Sequence, residues 1–304
     1  MWKYFLRRTL ILIPVLFGIS AVLFTILVMA PGDPFEELAT NPNVPPEVRM
    51  NLRAKFGLDD PLPVRYARWV ASMMRGDWGF SFVSRVNVDT LILQRLPTTL
   101  VVLGSAQLLA ILIAIPIGTY SALRPYSLFD QIATTLAFIG FSLPTFFTGL
   151  LFILLLSIHL DWLPFIYRAD ISATGWQWYW EHVRQAIMPV SVLGLAQAAS
   201  MTRFMRAAVL DVIRLDYVNT ARAKGLSEGI TLVAIQIPTI FGGAIVTEQI
   251  FRVPGIGSLL ITSILANDTP VVMAVTFIFS ILVLLSSLAA DMLYAWLDPR
   301  ISYR

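Results

Sequence analysis

The sequence offers few side chains that could carry out catalysis. It has 304 residues, no cysteine and two histidines, His159 and His182, which disfavours thiolate chemistry and a histidine-rich metal centre. The phosphate-holding loop G-x-x-x-x-G-K, the serine-hydrolase turn G-x-S-x-G and the zinc-hydrolase helix H-E-x-x-H are all absent. Glu181 beside His182 is too weak a signal on its own. We therefore expect no catalytic residue and no metal site in this chain.

A segment at 206–228 has the residue types that bind another protein. Helix-forming apolar residues lead into the stretch Asp216-Tyr217-Val218-Asn219-Thr220-Ala221-Arg222-Ala223-Lys224-Gly225. Small side chains followed by a closing glycine predict a short helix with little bulk, which the groove of a partner protein could approach closely. A solvated loop helix without a partner is the alternative that these residues leave open.

The elements that carry this segment are predicted to lie in a membrane. Hydrophobic residues make up 57% of the sequence and charged residues 13%, with a mean hydropathy of +0.74, whereas soluble domains carry about 25% charged residues. The apolar residues form six runs of roughly the length that crosses a bilayer as a helix, at 10–30, 98–123, 132–159, 186–204, 229–251 and 271–290. We predict an all-α polytopic membrane protein with about six transmembrane helices, in one domain covering 1–304.

Basic residues predict the orientation of these helices, since they are concentrated in short cytoplasmic loops. The first ten residues and the segment after the fourth run are basic, with Lys3, Arg7 and Arg8 in one and Arg203, Arg206, Arg214, Arg222 and Lys224 in the other. Both termini and the 206–228 loop are therefore predicted to be cytoplasmic, and the segment 32–97 extracytoplasmic. The net charge of +3 is scattered and does not indicate a nucleic-acid partner.

The extracytoplasmic segment contains aromatic and methionine residues at helical spacing. These are Tyr66, Trp69, Met73, Met74 and Trp78. The pattern predicts an amphipathic helix at the membrane interface. A small packed cap is the alternative.

Ionisable residues are scarce inside the apolar runs. Glu248 and Asp291 lie near run ends, where each could reach an interface or pair with Arg252 or a neighbouring helix. Because no charge lies near the midplane, we expect energy for any transport to come from outside the chain. Proline and glycine breaks suggest residues that line a pathway, with interhelical packing or hydrogen bonding as the alternative for each. They are Phe141, Ser142 and Thr145 beside Pro144, and Gln197, Gln236 and Thr247 on other runs.

The segment Asn219-Thr220-Ala221 with Gly225 resembles the coupling-helix signature of permease subunits of ATP-binding-cassette importers. The chain looks like the dipeptide/oligopeptide subfamily, and in particular like its B-type membrane subunit. Matching stretches extend along the whole sequence, including Phe5-Leu6-Arg7-Arg8, Pro31-Gly32-Asp33-Pro34, Arg75-Gly76-Asp77-Trp78-Gly79, Ser142-Leu143-Pro144, Glu248-Gln249-Ile250-Phe251, Pro254-Gly255-Ile256-Gly257 and Leu297-Asp298-Pro299-Arg300. Each stretch is short, but their order and coverage make the joint resemblance specific.

The resemblance implies a type I importer permease fold in a bacterial or archaeal cytoplasmic (inner) membrane. It implies a non-catalytic subunit that forms half of a pathway for di- or oligopeptides, while relatives carry nickel, glutathione or oligosaccharides. A stand-alone carrier or a membrane-embedded enzyme is the alternative from another class.

The implied partners are a second homologous permease, two ATP-binding subunits that hold ATP and Mg²⁺, an extracytoplasmic solute-binding protein and membrane lipid. This chain itself would need no cofactor. The contact with the ATP-binding subunits would be made by Asp216, Tyr217, Asn219, Thr220, Ala221, Arg222, Ala223, Lys224 and Gly225.

The chain departs from the subfamily after Glu228. The subfamily usually continues with a basic stretch of about 15 residues before the fifth helix, whereas here the apolar Gly229-Ile230-Thr231-Leu232 follows at once. We expect that residues are missing at this junction, and a Cα separation of Glu228 and Gly229 of about 3.8 Å would instead indicate a true shortening.

Overall fold

The computed structural model describes residues 2–29, 60–81, 83–168, 172, 174–213 and 240–297, and the regular structure within them is helical. The only pairing of extended backbone in this part of the chain is an isolated bridge between Phe80 and Asn87. The helices are α1 (Trp2–Met29), α2 (Leu62–Met74), α3 (Val88–Leu123), α4 (Leu128–Ser142), α5 (Thr145–Phe152) continuing into a π-helical segment (Ile153–His159), α6 (Trp176–Ile213), α7 (Ile240–Ile250), α8 (Ile256–Leu265) and α9 (Thr269–Leu297). The all-α prediction is confirmed.

Three of the described helices are long and apolar enough to span a membrane. They contain the segments Phe5–Met29, Val88–Leu123 and Thr269–Met292, which correspond to the first, second and sixth predicted runs. Within Phe5–Met29 the chain itself buries only 11% of the most apolar 18-residue stretch, so lipid or a partner must cover the rest. The fourth run lies inside α6, which is more polar, and the fifth run is described only from residue 240 onward.

The third predicted run is not one straight helix. Leu128–Ser142 and Thr145–His159 meet at an angle of 101°, so the pair is either one broken span or a re-entrant loop. Pro144 causes the break, because a proline disfavours helical backbone in the residue before it. Leu143 is accordingly extended, with ψ of 126°, and α5 begins directly after Pro144. The described residues thus contain three helices that are long and apolar enough to cross a membrane, or four if the bent pair is counted as one span.

The chain divides into two compact units. The first unit comprises Met1–Arg8, Pro97–Ser258 and Val283–Arg304. Within it, small residues let α3 and α6 approach closely, since a Cβ on Gly118 would lie 2.7 Å from the Cβ of Met205 and one on Gly194 would lie 3.1 Å from the carbonyl oxygen of Ala106. Buried alanines and methionines fill the rest of this seam, namely Ala106, Ala110, Ala114, Ala198, Met201 and Met205.

The second unit comprises Thr9–Leu96 and Leu259–Leu282, and it contains the predicted amphipathic helix. Helix α2 covers all of the predicted residues except Trp78. Trp69 packs edge-on against Phe277 of α9 and also contacts Phe24 of α1. The Tyr66 hydroxyl lies 2.7 Å from the Ser20 hydroxyl on α1. These contacts favour the packed cap over a helix lying alone at the interface.

Candidate functional site

The predicted coupling residues 216–225 lie outside the described residues, as do Gln236 and the Glu228–Gly229 junction. The described chain leads toward them through α6, which ends at Ile213. The structure therefore informs on the helix that precedes the coupling segment, while the roles predicted for those residues stay predictions.

An ion pair with two hydrogen bonds connects the last turns of α6 to the first turn of α4. Arg206 donates from Nε to Asp130 Oδ1 at 2.6 Å and from a terminal nitrogen to Oδ2 at 2.8 Å. The Asp130 side chain is 4% exposed and also accepts from the backbone N–H of Tyr126. Ser127 caps α4 by accepting from the backbone N–H of Asp130, which fixes that carboxylate at the first helical turn. A bidentate pair with this many supporting bonds holds α6 in one position relative to α4.

One turn earlier on α6, a second arginine is bonded very differently. The Arg203 guanidinium lies over the rings of Phe138 and Phe141 on α4, at 4.9 and 4.4 Å from the ring centroids. Its Nε is buried without a hydrogen-bond partner among the described residues. Phe138 and Phe141 are each more than half exposed in this chain. Arg203 is thus a cation that rests on two aromatic faces and has no ion pair in the described chain.

Three of the predicted pathway residues come together at the helix break. Phe141 and Ser142 form the exposed end of α4, and Thr145 begins α5 on the other side of Pro144. The carbonyl groups of a helix end have no intrahelical partners and cannot be left in hydrocarbon. This part of the chain therefore needs water or a neighbouring subunit beside it.

The other two described pathway candidates lie in different settings. Gln197 is half-buried on α6, and Thr247 is completely buried in α7. Neither residue is without an interaction partner. Burial of Thr247 inside its own chain agrees with the packing alternative for this residue.

A buried carboxylate at the end of α7 organises the turn into α8. Glu248 is 1% exposed, and its Oε1 accepts from the Thr99 hydroxyl of α3 at 2.5 Å. Its Oε2 accepts from the backbone N–H groups of Gly257 at 2.7 Å and Ser258 at 3.0 Å. Thr99 in turn accepts from the N–H of Ile256 at 2.9 Å. The carboxylate thus caps the N-terminus of α8, where a negative charge is stabilised.

The residues of this cap, called here the Glu248 clasp, are Thr99, Glu248, Ile256, Gly257 and Ser258. Glycine is required beside it, because a Cβ on Gly255 would overlap the Glu248 carboxylate and one on Gly257 would lie 2.8 Å from the Ile245 Cα. The motif Pro254-Gly255-Ile256-Gly257 therefore has a packing reason. The sequence showed Glu248 and the glycines but carried no signal for Thr99, which lies 149 positions earlier.

Asp291 forms an ion pair at the far end of α9. Its Oδ2 lies 3.3 Å from a terminal nitrogen of Arg8, with both side chains partly exposed. The sequence predicted that Asp291 would reach an interface or pair with Arg252 or a neighbouring helix, and the structure supplies Arg8 of α1. Screening by solvent makes the contribution of such a pair to stability small.

Family models for transport proteins match almost the whole chain. The model described as binding-protein-dependent transport system inner membrane component matches residues 114–229 and 229–303, and the model for the N-terminal part of such membrane components matches residues 1–103. The two stretches of the first match meet at Gly229, the residue at which the sequence departs from the subfamily.

Curated relatives are similar over their full lengths. The oligopeptide transport system permease protein AppB of Bacillus subtilis (strain 168) is 40% identical over 320 aligned positions, which cover 100% of both chains. That alignment is 16 positions longer than the 304 residues of this chain. The glutathione transport system permease proteins GsiC of Salmonella paratyphi A and Escherichia coli (strain K12) are each 35% identical over 319 positions, again covering 100% of both chains. The chain belongs to the family of inner membrane components of binding-protein-dependent transport systems.

Proposed function

We propose that this chain is a permease subunit of an ATP-driven importer of oligopeptides and forms half of its translocation pathway. The full-length identity of 40% to AppB carries the proposal, because AppB is named as an oligopeptide permease. The scarcity of charge in the apolar runs also supports a conduit whose energy comes from partner subunits.

The proposed assembly contains a second homologous permease, two ATP-binding subunits that use ATP and Mg²⁺, and an extracytoplasmic binding protein. The family description names the dependence on a binding protein and the inner membrane. Both termini and the coupling segment would face the cytoplasm, as the basic loops predict. Coupling requires that the ATP-binding subunits contact the permease differently in two states, and residues 216–225 would make that contact.

Arg206 and Asp130 support this mechanism from the described part of the chain. Their bidentate pair fixes the end of α6 immediately before the coupling segment. A force applied to the segment therefore reaches α4 and α6 together. The 16 positions by which the AppB alignment exceeds this chain and the family match that restarts at Gly229 support the hypothesis that residues are missing after Glu228, with a true shortening as the alternative.

The coupling role is tested by adding bulk to the proposed contact. In the complete complex reconstituted with its native partners, Gly225→Leu and Ala221→Leu are expected to abolish peptide uptake while ATP hydrolysis continues. The matched control is Ala207→Leu, which adds a similar bulk at an exposed position of α6. Uptake that is unchanged in both coupling variants would contradict the assignment.

Glutathione is the second candidate substrate, because the GsiC proteins are 35% identical over their full lengths. A competition experiment distinguishes oligopeptides from glutathione as the substrate. Unlabelled tripeptides and pentapeptides of varied sequence should suppress uptake of a labelled oligopeptide, and glutathione should not. Transport by the purified single chain without ATP-binding subunits would indicate a stand-alone carrier instead.

A further inference from the structure

We infer that Arg203, held on the faces of Phe138 and Phe141, is a contact for the C-terminal carboxylate of the transported peptide. The inference rests on the proposed function and adds a residue and a substrate group to it. It is carried by the position of the guanidinium, by its bonding and by its surroundings at the α4–α5 break.

The contacts of Arg203 within the described chain use none of its N–H donors. The guanidinium carbon lies 4.4 and 4.9 Å from the centroids of the two rings, a cation–π attraction that needs no hydrogen bond. Arg203 has no carboxylate partner among the described residues, and its buried Nε has no acceptor there. A planar carboxylate is the group that fits a guanidinium fork with two parallel bonds.

The neighbouring Arg206 shows what a structural arginine looks like in the same helix. It lies three residues further along α6 and its two bonds to Asp130 are satisfied within the chain. Both arginines face α4, yet only one of them has received an acidic partner. A buried donor without an acceptor is uncommon in a folded protein and calls for an explanation, and the Arg203 Nε is such a donor in the described chain.

The helix break beside Arg203 needs water or another protein surface around it. Phe141 is in the last turn of α4, where the helix ends at Ser142 and the chain turns by 101°. Phe141, Ser142 and Pro144 are all exposed in this chain. Non-helical backbone at membrane depth is tolerated where it lines a water-filled cavity or is buried in protein. Of these two settings we assign the break to a water-filled cavity, which in a transporter is the substrate pathway.

The substrate group that Arg203 contacts follows from the need to transport peptides of many different sequences. Oligopeptides of different sequence share a terminal carboxylate, a terminal ammonium and their backbone, so a conduit for many peptides can recognise only those groups. A guanidinium attracts the carboxylate and repels the ammonium. An ion pair in a hydrated cavity is weak, which suits a transient contact from which the substrate is released.

The test compares a peptide with its C-terminal amide in the complete complex. Initial rates of ATP-dependent uptake of trialanine and trialanine amide are measured in proteoliposomes with saturating binding protein. The ratio of the trialanine uptake rate to the trialanine amide uptake rate is expected to be roughly three- to tenfold lower in Arg203→Gln than in the wild type. This is the range of a solvated charge-assisted contact. Arg203→Lys should keep part of the preference, because it retains the charge without the fork. A preference of the binding protein for the acid or the amide affects every variant equally, so it cancels when the rate ratios of the variants are compared.

The matched control is Arg124→Gln. This arginine also lies over an aromatic ring, 5.3 Å from the Tyr120 centroid, but it is exposed in the turn before α4. Its removal should leave the ratio unchanged. Complex yield and basal ATP hydrolysis report folding, and Arg203→Met, which keeps an apolar stem against the rings, replaces the glutamine variant if that one does not assemble.

The outcomes separate this inference from the proposed function. Absence of peptide uptake by the wild-type complex would overturn the proposed function. Normal wild-type uptake with an unchanged acid-to-amide ratio in Arg203→Gln would overturn the carboxylate contact alone. An equal loss of both rates would assign Arg203 a structural role. A loss that is relieved by removing anionic lipid from the vesicles would assign it to a lipid phosphate, and both results overturn the inference.

Discussion

The Glu248 clasp and the Arg203 region show two ways of keeping a charge inside the same unit. The Glu248 carboxylate is almost completely buried and accepts hydrogen bonds from a hydroxyl and two backbone N–H groups. The Arg203 guanidinium is half-buried, lies on two exposed rings and has no acidic partner in the described chain. A charge with its bonds satisfied locks the backbone around it, whereas one with free donors is available to a ligand. Removing the first should be costly for stability, and removing the second should not.

The largest effect is expected for Glu248→Leu. This change removes the acceptor of the buried donors of Thr99 and Gly257, each at a cost of about 1–3 kcal/mol, and of the half-buried N–H of Ser258. We expect a loss of folded subunit, measured as complex yield and as the midpoint of thermal unfolding in detergent. Glu248→Gln keeps the volume and one acceptor and should lose less. Equal midpoints for the leucine variant and the wild type would show that the clasp does not stabilise the fold.

Asp130→Asn should have the next largest effect. It breaks the pair with Arg206, and because the Arg206 side chain is 26% exposed, the cost should be about 2 kcal/mol, below the range for fully buried pairs. Thermal unfolding of the complex measures it. The matched control is Asp60→Asn, whose partner Arg68 is 62% exposed, so that its loss should cost less than about 1 kcal/mol. Similar losses in both variants would contradict the special role of the Asp130 pair.

Gly257→Ala tests the backbone of the clasp without removing a charge. The new Cβ would lie 2.8 Å from the Ile245 Cα and 2.9 Å from Glu248 Oε2, and because the first of these is a backbone atom the strain should cost about 1–3 kcal/mol. Gly104→Ala is the control in α3, where a Cβ meets no atom within 4 Å. Replacing a helical glycine of that kind with alanine should leave the free energy of unfolding unchanged or raise it by up to about 1 kcal/mol. The difference between the two unfolding midpoints decides the prediction.

The smallest effect on stability is expected for Arg203→Met. Only the contacts with Phe138 and Phe141 are lost, which amounts to about 0.5–1 kcal/mol. The thermal midpoint should therefore stay close to that of the wild type. A loss as large as that of Asp130→Asn would remove the distinction between the two arginines and would mean that Arg203 is bonded structurally.

The features that depend on local sequence were predicted well. Length and hydropathy identified α1, α3 and most of α9, because crossing a bilayer requires about 20 consecutive apolar residues. Pro144 indicated a break, but its angle of 101° depends on how α4 and α5 pack and has no local signal. The aromatic spacing predicted α2, whereas its packing partners Phe24 and Phe277 come from distant helices.

The site residues that the sequence could not reveal are those joined across long separations. Arg206 reaches Asp130 over 76 positions, and Glu248 reaches Thr99 over 149. Single polar residues in apolar runs look alike until their neighbours are known, so the bonded Arg206 and the unbonded Arg203 are indistinguishable in one sequence. Thr247 illustrates the reverse case, because the sequence offered it as a pathway candidate and the folded chain buries it completely.

Helix α6 has a mechanical consequence for the subunit. Its 38 residues would extend over about 57 Å as a straight helix, and it packs closely against α3 at Gly118 and Gly194. Pro189 lies inside the helix and removes one backbone hydrogen bond. A displacement beyond Ile213 is therefore transmitted as a tilt as far as Pro189, where the helix can bend before it reaches Trp176.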